Sequence, residues 1–285
     1  MVEYPRRVYW MSRGTLGGVF AGLAVAAAAL LAAVPRVAQD VVYHRFADTR
    51  TVFGLNNGLN VLSNLPFLLV GLWGLARVLS APAGSPGCSF IEPRERWPYV
   101  SVCAGVALTG LGSAYYHWAP DNARLVWDRF PMTLVFMGML AAVVAERVNV
   151  TAGLALLLPL AAAGLGSVVY WHASEAAGRG DLRPYALVQF FPALAIPLLL
   201  WLAPARYTRG GDLLAVLLIY GVAKLFEALD GRIFALGQGV SGHSLKHLTA
   251  ALACWWLLRG LMSRRPTETF EMKVGGATAD ASVPR

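Results

Sequence analysis

The chain has 285 residues, of which 57% are hydrophobic and only 14% are charged, and its mean hydropathy is +0.54. A soluble globular protein carries about a quarter charged residues, so this composition argues against a soluble fold and favours an integral membrane protein. The net charge of +8 would suggest a nucleic-acid partner in a soluble protein. Here the basic residues fall mainly in short loops between apolar stretches, where they set membrane orientation. We therefore expect no nucleic-acid partner.

Eight apolar stretches are candidates for transmembrane helices, because a span needs roughly twenty mainly apolar residues. They are predicted at 14–34, 58–79, 98–117, 129–146, 151–171, 185–203, 212–230 and 243–261. Small residues are frequent within them and allow helices to pack closely. The sequence therefore predicts an all-α integral membrane protein.

The two ends of the chain carry signals of topology. The stretch 14–34 follows several arginines, but its apolar run is long and no convincing cleavage site follows. We therefore expect a retained helix and keep a cleaved signal peptide as the alternative. From Ser263 onward the chain is polar and lacks apolar periodicity, which predicts disorder. Of the arginines in the loops and next to the predicted helices, twelve lie inside and eight outside if both termini face the cytoplasm, and this bias favours that topology.

A first group of polar residues lies where two predicted spans meet. Ionisable groups at membrane helices are energetically unfavourable, so each is a candidate for function. Ser113 and His117 are four residues apart and share one helix face. Asp128 opens the next predicted helix after a short loop, which places it at the same depth as His117. We interpret Asp128 as a general base and Ser113 as a hydrogen-bond donor to an oxyanion.

A second group opens the last predicted helix. His243 and His247 are again four residues apart on one face. In the eight-helix topology they reach the outer side of the membrane, as does His117. Three imidazoles with one open position form the ligand set of a catalytic zinc ion, which activates water near neutral pH. The sequence therefore predicts one zinc ion held by these three histidines.

Each of these residues also has a simpler interpretation. A single histidine at a helix end is more often an interfacial residue, and His44 and His172 are interpreted in that way. Asp128 alone could cap its helix, where a negative charge is favourable. Ser113 alone could allow close packing. Their convergence on one side of the membrane favours the metal site over these alternatives.

Other polar residues are weaker candidates. The predicted substrate contacts are Asn60, Ser63, Asn64, Tyr116 and Asp230. Hydrogen bonding between helices is the alternative role for the asparagines and the serine. Lys224 and Glu227 are spaced to pair within one helix. Lys246 is expected to extend to the membrane interface.

These residues resemble the alkaline ceramidase family, within the wider superfamily that includes the adiponectin-type receptors. The matching signatures are Ser63-Asn64, Gly112-Ser113 through His117, Asp128 with Pro131-Met132, Asp230, and His243 with His247. Their spacing and their order along the chain agree with the family, and the resemblance covers roughly residues 45–261.

The resemblance implies a seven-helix core in which His117, His243 and His247 hold a zinc ion. It further implies that the equivalent of Asp128 assists the attack of water on the ceramide amide, while that of Ser113 stabilises the oxyanion. Sphingosine and a fatty acid would be the products. The implied divisions are an N-terminal segment with an extra helix, a catalytic membrane domain and a disordered cytoplasmic tail, at 1–40, 41–262 and 263–285.

This sequence departs from the family at two points. The animal enzymes carry an acidic calcium site near the first core helix, whereas the stretch 44–60 offers only Asp48 and has Asn57 about where a glutamate would stand. We therefore expect no calcium site. Lys246 replaces an aromatic residue between the paired histidines, which predicts an altered entrance or head-group preference.

The expected function is zinc-dependent hydrolysis of ceramide or a related N-acyl lipid that reaches the site from the membrane. The zinc site is expected near the outer, periplasmic or lumenal side. A receptor-like or structural membrane protein that keeps zinc to hold its helices together is the main alternative. A transporter is a weaker one, because the sequence has no internal repeat. Imidazole also binds other transition ions, and the absence of an evident redox function favours zinc.

Overall fold

The structure, a computed structural model, describes residues 11–80 and 90–267, and its regular secondary structure is helical throughout these ranges. In chain order the α-helices are α1 (Arg13–Ala33), α2 (Gly58–Leu62), α3 (Leu65–Ser80), α4 (Arg96–Trp118), α5 (Asn122–Arg147), α6 (Val150–Ala176), α7 (Arg183–Leu202), α8 (Gly211–Ala228), α9 (Asp230–Gly237) and α10 (Gly242–Ser263). Two short 3₁₀ helices lie at Val41–His44 and Pro93–Glu95. The predicted all-α class is confirmed.

Five helical stretches are long and apolar enough to cross a membrane. They are Gly14–Ala33, Gly58–Ser80, Asn122–Arg147, Val150–Ala176 and Arg183–Leu202. The other three predicted spans form helices α4, α8 and α10, whose composition is more polar. Helix α8 carries Asp212, Lys224 and Glu227, while α10 opens with His243 and His247. These polar side chains make the three helices less apolar, so apolar composition alone identifies five of the eight predicted spans.

The predicted span at 58–79 is two helices, not one. Helix α2 ends at Leu62, and α3 begins at Leu65. Pro66 has no backbone N–H and therefore cannot continue the hydrogen-bonding pattern of α2. The Asn64 side chain instead donates to the Asn60 carbonyl oxygen at 2.7 Å across this break.

Helix α5 begins seven residues before the predicted start at 129. Asp121 caps it by accepting a hydrogen bond from the Arg124 backbone N–H at 2.7 Å. This is the usual role of an aspartate at a helix N-terminus. Asp128 therefore lies in the second turn, and the alternative interpretation of Asp128 as the helix cap is wrong.

The long helices form one bundle. Helix α4 packs between α3 and α5, and α5 also contacts α6 and α7. Helix α10 packs against α8 and α3. The largest buried apolar cluster joins these helices through residues such as Val102, Leu199 and Leu258. Helix α1 lies at the edge, mainly against α7, as expected of an extra helix.

Glycine allows α4 and α5 to approach closely beside the predicted site. A Cβ atom on Gly112 would lie 2.0 Å from the Trp127 carbonyl oxygen. This approach holds Ser113, the residue after Gly112, next to the start of α5. The packing of the two helices therefore depends on a residue without a side chain at this position.

Substitution of Gly112 by alanine is expected to lower the free energy of unfolding by about 1–3 kcal/mol, because the added methyl group overpacks the α4–α5 contact. Thermal unfolding in detergent measures the effect. Gly166→Ala is the matched control, since a Cβ atom there meets no atom within 4 Å. Equal melting temperatures for the two variants would contradict the prediction.

The chain after Ser263 begins in an ordered conformation. Arg264 is buried, forms an ion pair with Glu146, and donates to the Tyr99 hydroxyl at 3.1 Å. Its guanidinium also lies 3.9 Å from the centre of the Tyr207 ring. The prediction that disorder starts at 263 is therefore wrong for residues 263–267. The rest of the predicted tail, 268–285, lies outside the described residues, as do 1–10.

Candidate metal centre

Three buried histidines meet at one end of the bundle. His117 lies in the last turn of α4, while His243 and His247 lie on the first two turns of α10. One ring nitrogen from each histidine lies within 4.8 Å of the others, and the Nε2 atoms of His117 and His243 are 3.3 Å apart. The predicted convergence of these three residues is confirmed.

The spacing of these nitrogens fits a metal ion. Two nitrogens that bind one tetrahedral ion at about 2.0–2.1 Å lie about 3.3 Å apart, as the His117 and His243 nitrogens do. His247 Nε2 is buried and has no hydrogen-bond partner among the described residues. A buried polar atom without a partner is unfavourable. The three histidines could therefore hold a metal ion, whose identity their geometry does not fix.

Hydrogen bonds from neighbouring segments hold the histidines in place. His247 Nδ1 is 2.7 Å from the Ser63 hydroxyl, which leaves Nε2 as the free nitrogen. The Asn57 side chain donates to the His117 carbonyl oxygen at 2.8 Å. Asp230 accepts a hydrogen bond from the His243 backbone N–H at 2.7 Å. Partners of this kind orient metal ligands and set which ring nitrogen is available.

Substitution of Ser63 by alanine is expected to lower metal affinity by about 10–100-fold, the usual effect of removing a hydrogen-bond partner of a ligating histidine. Competition with a chelator of known affinity measures this change. Ser80→Ala is the matched control, because Ser80 is exposed and its hydroxyl donates to the Ala76 carbonyl oxygen of its own helix. Unchanged affinity in Ser63→Ala would mean that His247 keeps its orientation without the serine.

Asp128 and Ser113 lie together beside the histidines. Both are buried, and the Ser113 hydroxyl donates a hydrogen bond to the Asp128 carboxylate. Both line a cavity that His247 also lines. The structure therefore brings the two predicted catalytic residues and a predicted metal ligand to one surface.

Lys246 points into the protein and not towards the membrane interface as predicted. Its ammonium lies 3.0 Å from Glu227 Oε1 and 2.9 Å from His243 Nε2. The Glu227 carboxylate, at the end of α8, stabilises the partly buried ammonium in this position. Glu227 also pairs with Lys224, which confirms the predicted pairing within α8. A metal ion and the Lys246 ammonium compete for the same lone pair on His243.

None of the five predicted substrate contacts lines this cavity. Asn60 accepts from the Ser244 hydroxyl at 2.8 Å and so connects α2 to α10. The hydroxyl of Tyr116 is 2.9 Å from His44 Nδ1. Ser63, Asn64 and Asp230 form the hydrogen bonds described above. Asn60 and Ser63 thus form hydrogen bonds to α10, as the alternative interpretation expects, whereas Asn64 bonds to the adjacent α2. A role of the five residues in substrate binding stays a prediction.

Asp48 is the one carboxylate in the stretch where the family resemblance places calcium ligands. Its two carboxylate oxygens accept from Arg50 Nε at 2.8 Å and from Nη2 at 2.7 Å. These hydrogen bonds lower the pKa of Asp48, so it stays ionised in an internal ion pair. Its backbone carbonyl oxygen accepts from Asn60 at 3.1 Å. Asp48 thus fixes the segment before α2 against the helix that supports the metal centre.

The cavity has a volume of about 380 Å³ and lies between α5, α7, α8 and α10. Its polar end carries Asp128, Lys246 and Glu227. Its other end is apolar, with Phe136, Met139, Ile196, Leu213 and Leu257 in the wall. Eleven residues separate Asp128 from Met139 on α5, so the cavity extends about 16 Å along that helix.

The sequence interpretation missed two residues of the polar end, Arg129 and Tyr43. Arg129 was counted only as a loop arginine that sets topology, although it directly follows Asp128 and therefore carried a positional signal. Tyr43 lies before the predicted core helix, and nothing in its neighbourhood in the sequence pointed to the site. Both line the cavity.

No family model matches this sequence, and no curated protein matches it significantly. The resemblance to the alkaline ceramidases therefore depends on the identity, spacing and order of the residues quoted above.

Proposed function

We propose that this protein is a metal-dependent membrane amidohydrolase, with zinc as the expected ion. It cleaves the amide bond of ceramide or a related N-acyl lipid to a long-chain base and a fatty acid. One observation carries the proposal: three buried histidines converge beside the Ser113–Asp128 pair at the polar end of a deep apolar cavity. Such a cavity with a few convergent polar groups is typical of an active site.

The proposed enzyme has a seven-span core to which α1 adds an eighth span. The stretch Gly58–Ser80, made of α2 and α3 in sequence, supplies one core span. Helices α4, α5, α6, α7, α8 and α10 supply the others. Both termini are cytoplasmic, so the histidines lie near the outer face. The apolar depth of the cavity takes an acyl chain, and the amide then lies at the polar end beside the histidines.

Each group at the polar end has a separate role in the proposed hydrolysis. A bound zinc ion supplies a Lewis acid that activates water near neutral pH. Asp128 accepts the proton of the attacking water and delivers it to the amine nitrogen that leaves. Ser113 donates to Asp128 and so orients its carboxylate. To stabilise the oxyanion as well, the Ser113 hydroxyl must turn from Asp128 towards the substrate.

The test is hydrolysis of a panel of N-acyl lipids, ceramides included, by the purified chain in detergent, with and without chelator. Release of fatty acid that chelator stops and zinc restores is the expected result. No release from any lipid by protein that contains stoichiometric zinc would overturn the proposed activity.

A structural metal site is the second candidate, and one feature of the packing favours it. The histidines come from α4 and α10, which pack mainly through α3 and have little direct contact. A metal ion would therefore connect two helices that are otherwise joined indirectly. If chelation unfolds the protein, the structural role is supported. If it stops hydrolysis and leaves the melting temperature unchanged, the catalytic role is supported.

A further inference from the structure

Arg129 is a buried cation in the cavity wall, and its neighbours hold its guanidinium in one orientation. Its side chain is only 6% exposed, and its guanidinium lies 4.1 Å from the ring centre of Trp171, 4.7 Å from that of Tyr185 and 5.8 Å from that of Tyr43. Its Nη2 atom donates to Gln39 Oε1 at 2.6 Å. Three aromatic rings and one amide therefore fix the orientation of the guanidinium.

One nitrogen of this guanidinium has no acceptor. Arg129 Nη1 is buried and has no hydrogen-bond partner in the described part of the chain. Arginine stays charged in proteins, and a desolvated charged donor without an acceptor is costly. Carboxylate oxygens are the matching acceptors, because the guanidinium fork fits their geometry and charge.

The balance of charge at the polar end also favours an anion. The cavity is lined by three cations, Arg129, Lys224 and Lys246, and by two carboxylates, Asp128 and Glu227, which leaves one positive charge. Glu227 pairs with both lysines. Glu227 offsets only one of these two lysines, and Asp128 is the carboxylate that directly precedes Arg129. The polar end therefore keeps one excess positive charge, shared among its three cations, and this favours an anion there.

We propose that Arg129 recognises a carboxylate on the amine side of the substrate, so that the preferred substrates are N-acyl amino acids. This inference rests on the proposed amide hydrolysis and names its substrate class. With the acyl chain in the apolar end and the amide beside the histidines, the amine substituent is the part that remains near Arg129. A neutral hydroxyl head group would offer Arg129 Nη1 only an uncharged acceptor, which forms a weaker hydrogen bond than a carboxylate does.

Binding tests the proposal independently of turnover. The two probes are N-dodecanoylglycine and N-dodecanoylethanolamine, which share an acyl chain and an amide and differ in carboxylate against hydroxyl. We expect the full-length protein in detergent to bind the glycine conjugate at least about tenfold more tightly, as a charge-assisted hydrogen bond provides. Arg129→Gln should remove this preference, and Arg129→Lys should retain part of it. Equal affinity of the wild-type protein for both probes overturns the proposal.

A second variant serves if Arg129→Gln fails to fold. Gln39→Glu leaves Arg129 in place and supplies a competing carboxylate within hydrogen-bond distance. We expect Gln39→Glu to lose the preference for the glycine conjugate while its affinity for the ethanolamine conjugate stays constant. An undiminished preference in a folded Gln39→Glu protein contradicts the proposal.

Two further measurements, binding of dodecanoate and hydrolysis of the two probes, distinguish the proposal from other roles of Arg129. If Arg129→Gln weakens binding of dodecanoate as much as binding of the glycine conjugate, Arg129 holds the acyl product, and the head-group assignment is overturned. Hydrolysis of both probes is measured in parallel. A carboxylate preference in binding without hydrolysis of either probe supports the Arg129 site while the proposed function fails. Hydrolysis of both without a preference overturns the Arg129 site alone.

Discussion

Substitution of His117 by alanine is expected to abolish stoichiometric metal binding, with a loss of affinity greater than the about 10–100-fold effect of removing a ligand's hydrogen-bond partner. His117 is the one histidine that α4 contributes, and its Nε2 atom lies 3.3 Å from that of His243. Without it, two imidazoles on adjacent turns of α10 remain. The measurement is metal content per chain after dialysis, by mass spectrometry, together with the melting temperature.

His172→Ala is the matched control for this experiment. His172 lies on α6, outside the cluster, and its substitution should leave the metal content unchanged. Full metal content in His117→Ala would contradict a centre made of these three residues. Loss of metal in both variants would place a ligand outside the proposed cluster.

The residues of the metal centre were predictable because their signals are local. His243 and His247 share a helix face by their spacing alone, and a short loop fixes His117 close to the start of α5. The all-α class was predictable in the same way, because apolar runs of membrane length leave few alternatives. The spacing of residues along the chain and the direction of each helix are sufficient to predict the metal centre.

The residues that the sequence interpretation missed depend on contacts between distant segments. Arg129 is enclosed by Trp171 and Tyr185, which are 42 and 56 positions away in the chain. Lys246 is drawn inward by Glu227, from a different helix. From sequence alone, an arginine or a lysine near a helix end is predicted to lie at the membrane interface, because that is its commonest position. Only the packing of the helices identifies the side chains that stay inside.

Substitution of Asp128 by asparagine is expected to reduce the hydrolysis rate by about 10²–10⁴-fold while metal content stays at one ion per chain, because an amide cannot accept the proton of the attacking water. Asparagine has the shape of aspartate, and its carbonyl oxygen can still accept the hydrogen bond from Ser113. The fold and the three histidines should therefore be unaffected. The measurement is the rate with the best lipid of the panel, together with metal content and melting temperature.

Asp121→Asn is the control on the same helix. Asp121 caps α5 outside the cavity, and asparagine caps a helix about as well as aspartate does, so its activity should match that of the wild-type protein. His117→Ala and Asp128→Asn together separate the two candidate functions. A structural metal site predicts that His117→Ala lowers the melting temperature and that Asp128→Asn changes nothing measurable. A catalytic site predicts that Asp128→Asn is inactive while metal-loaded and fully folded, because a proton acceptor near the histidines has no role in holding α4 and α10 together.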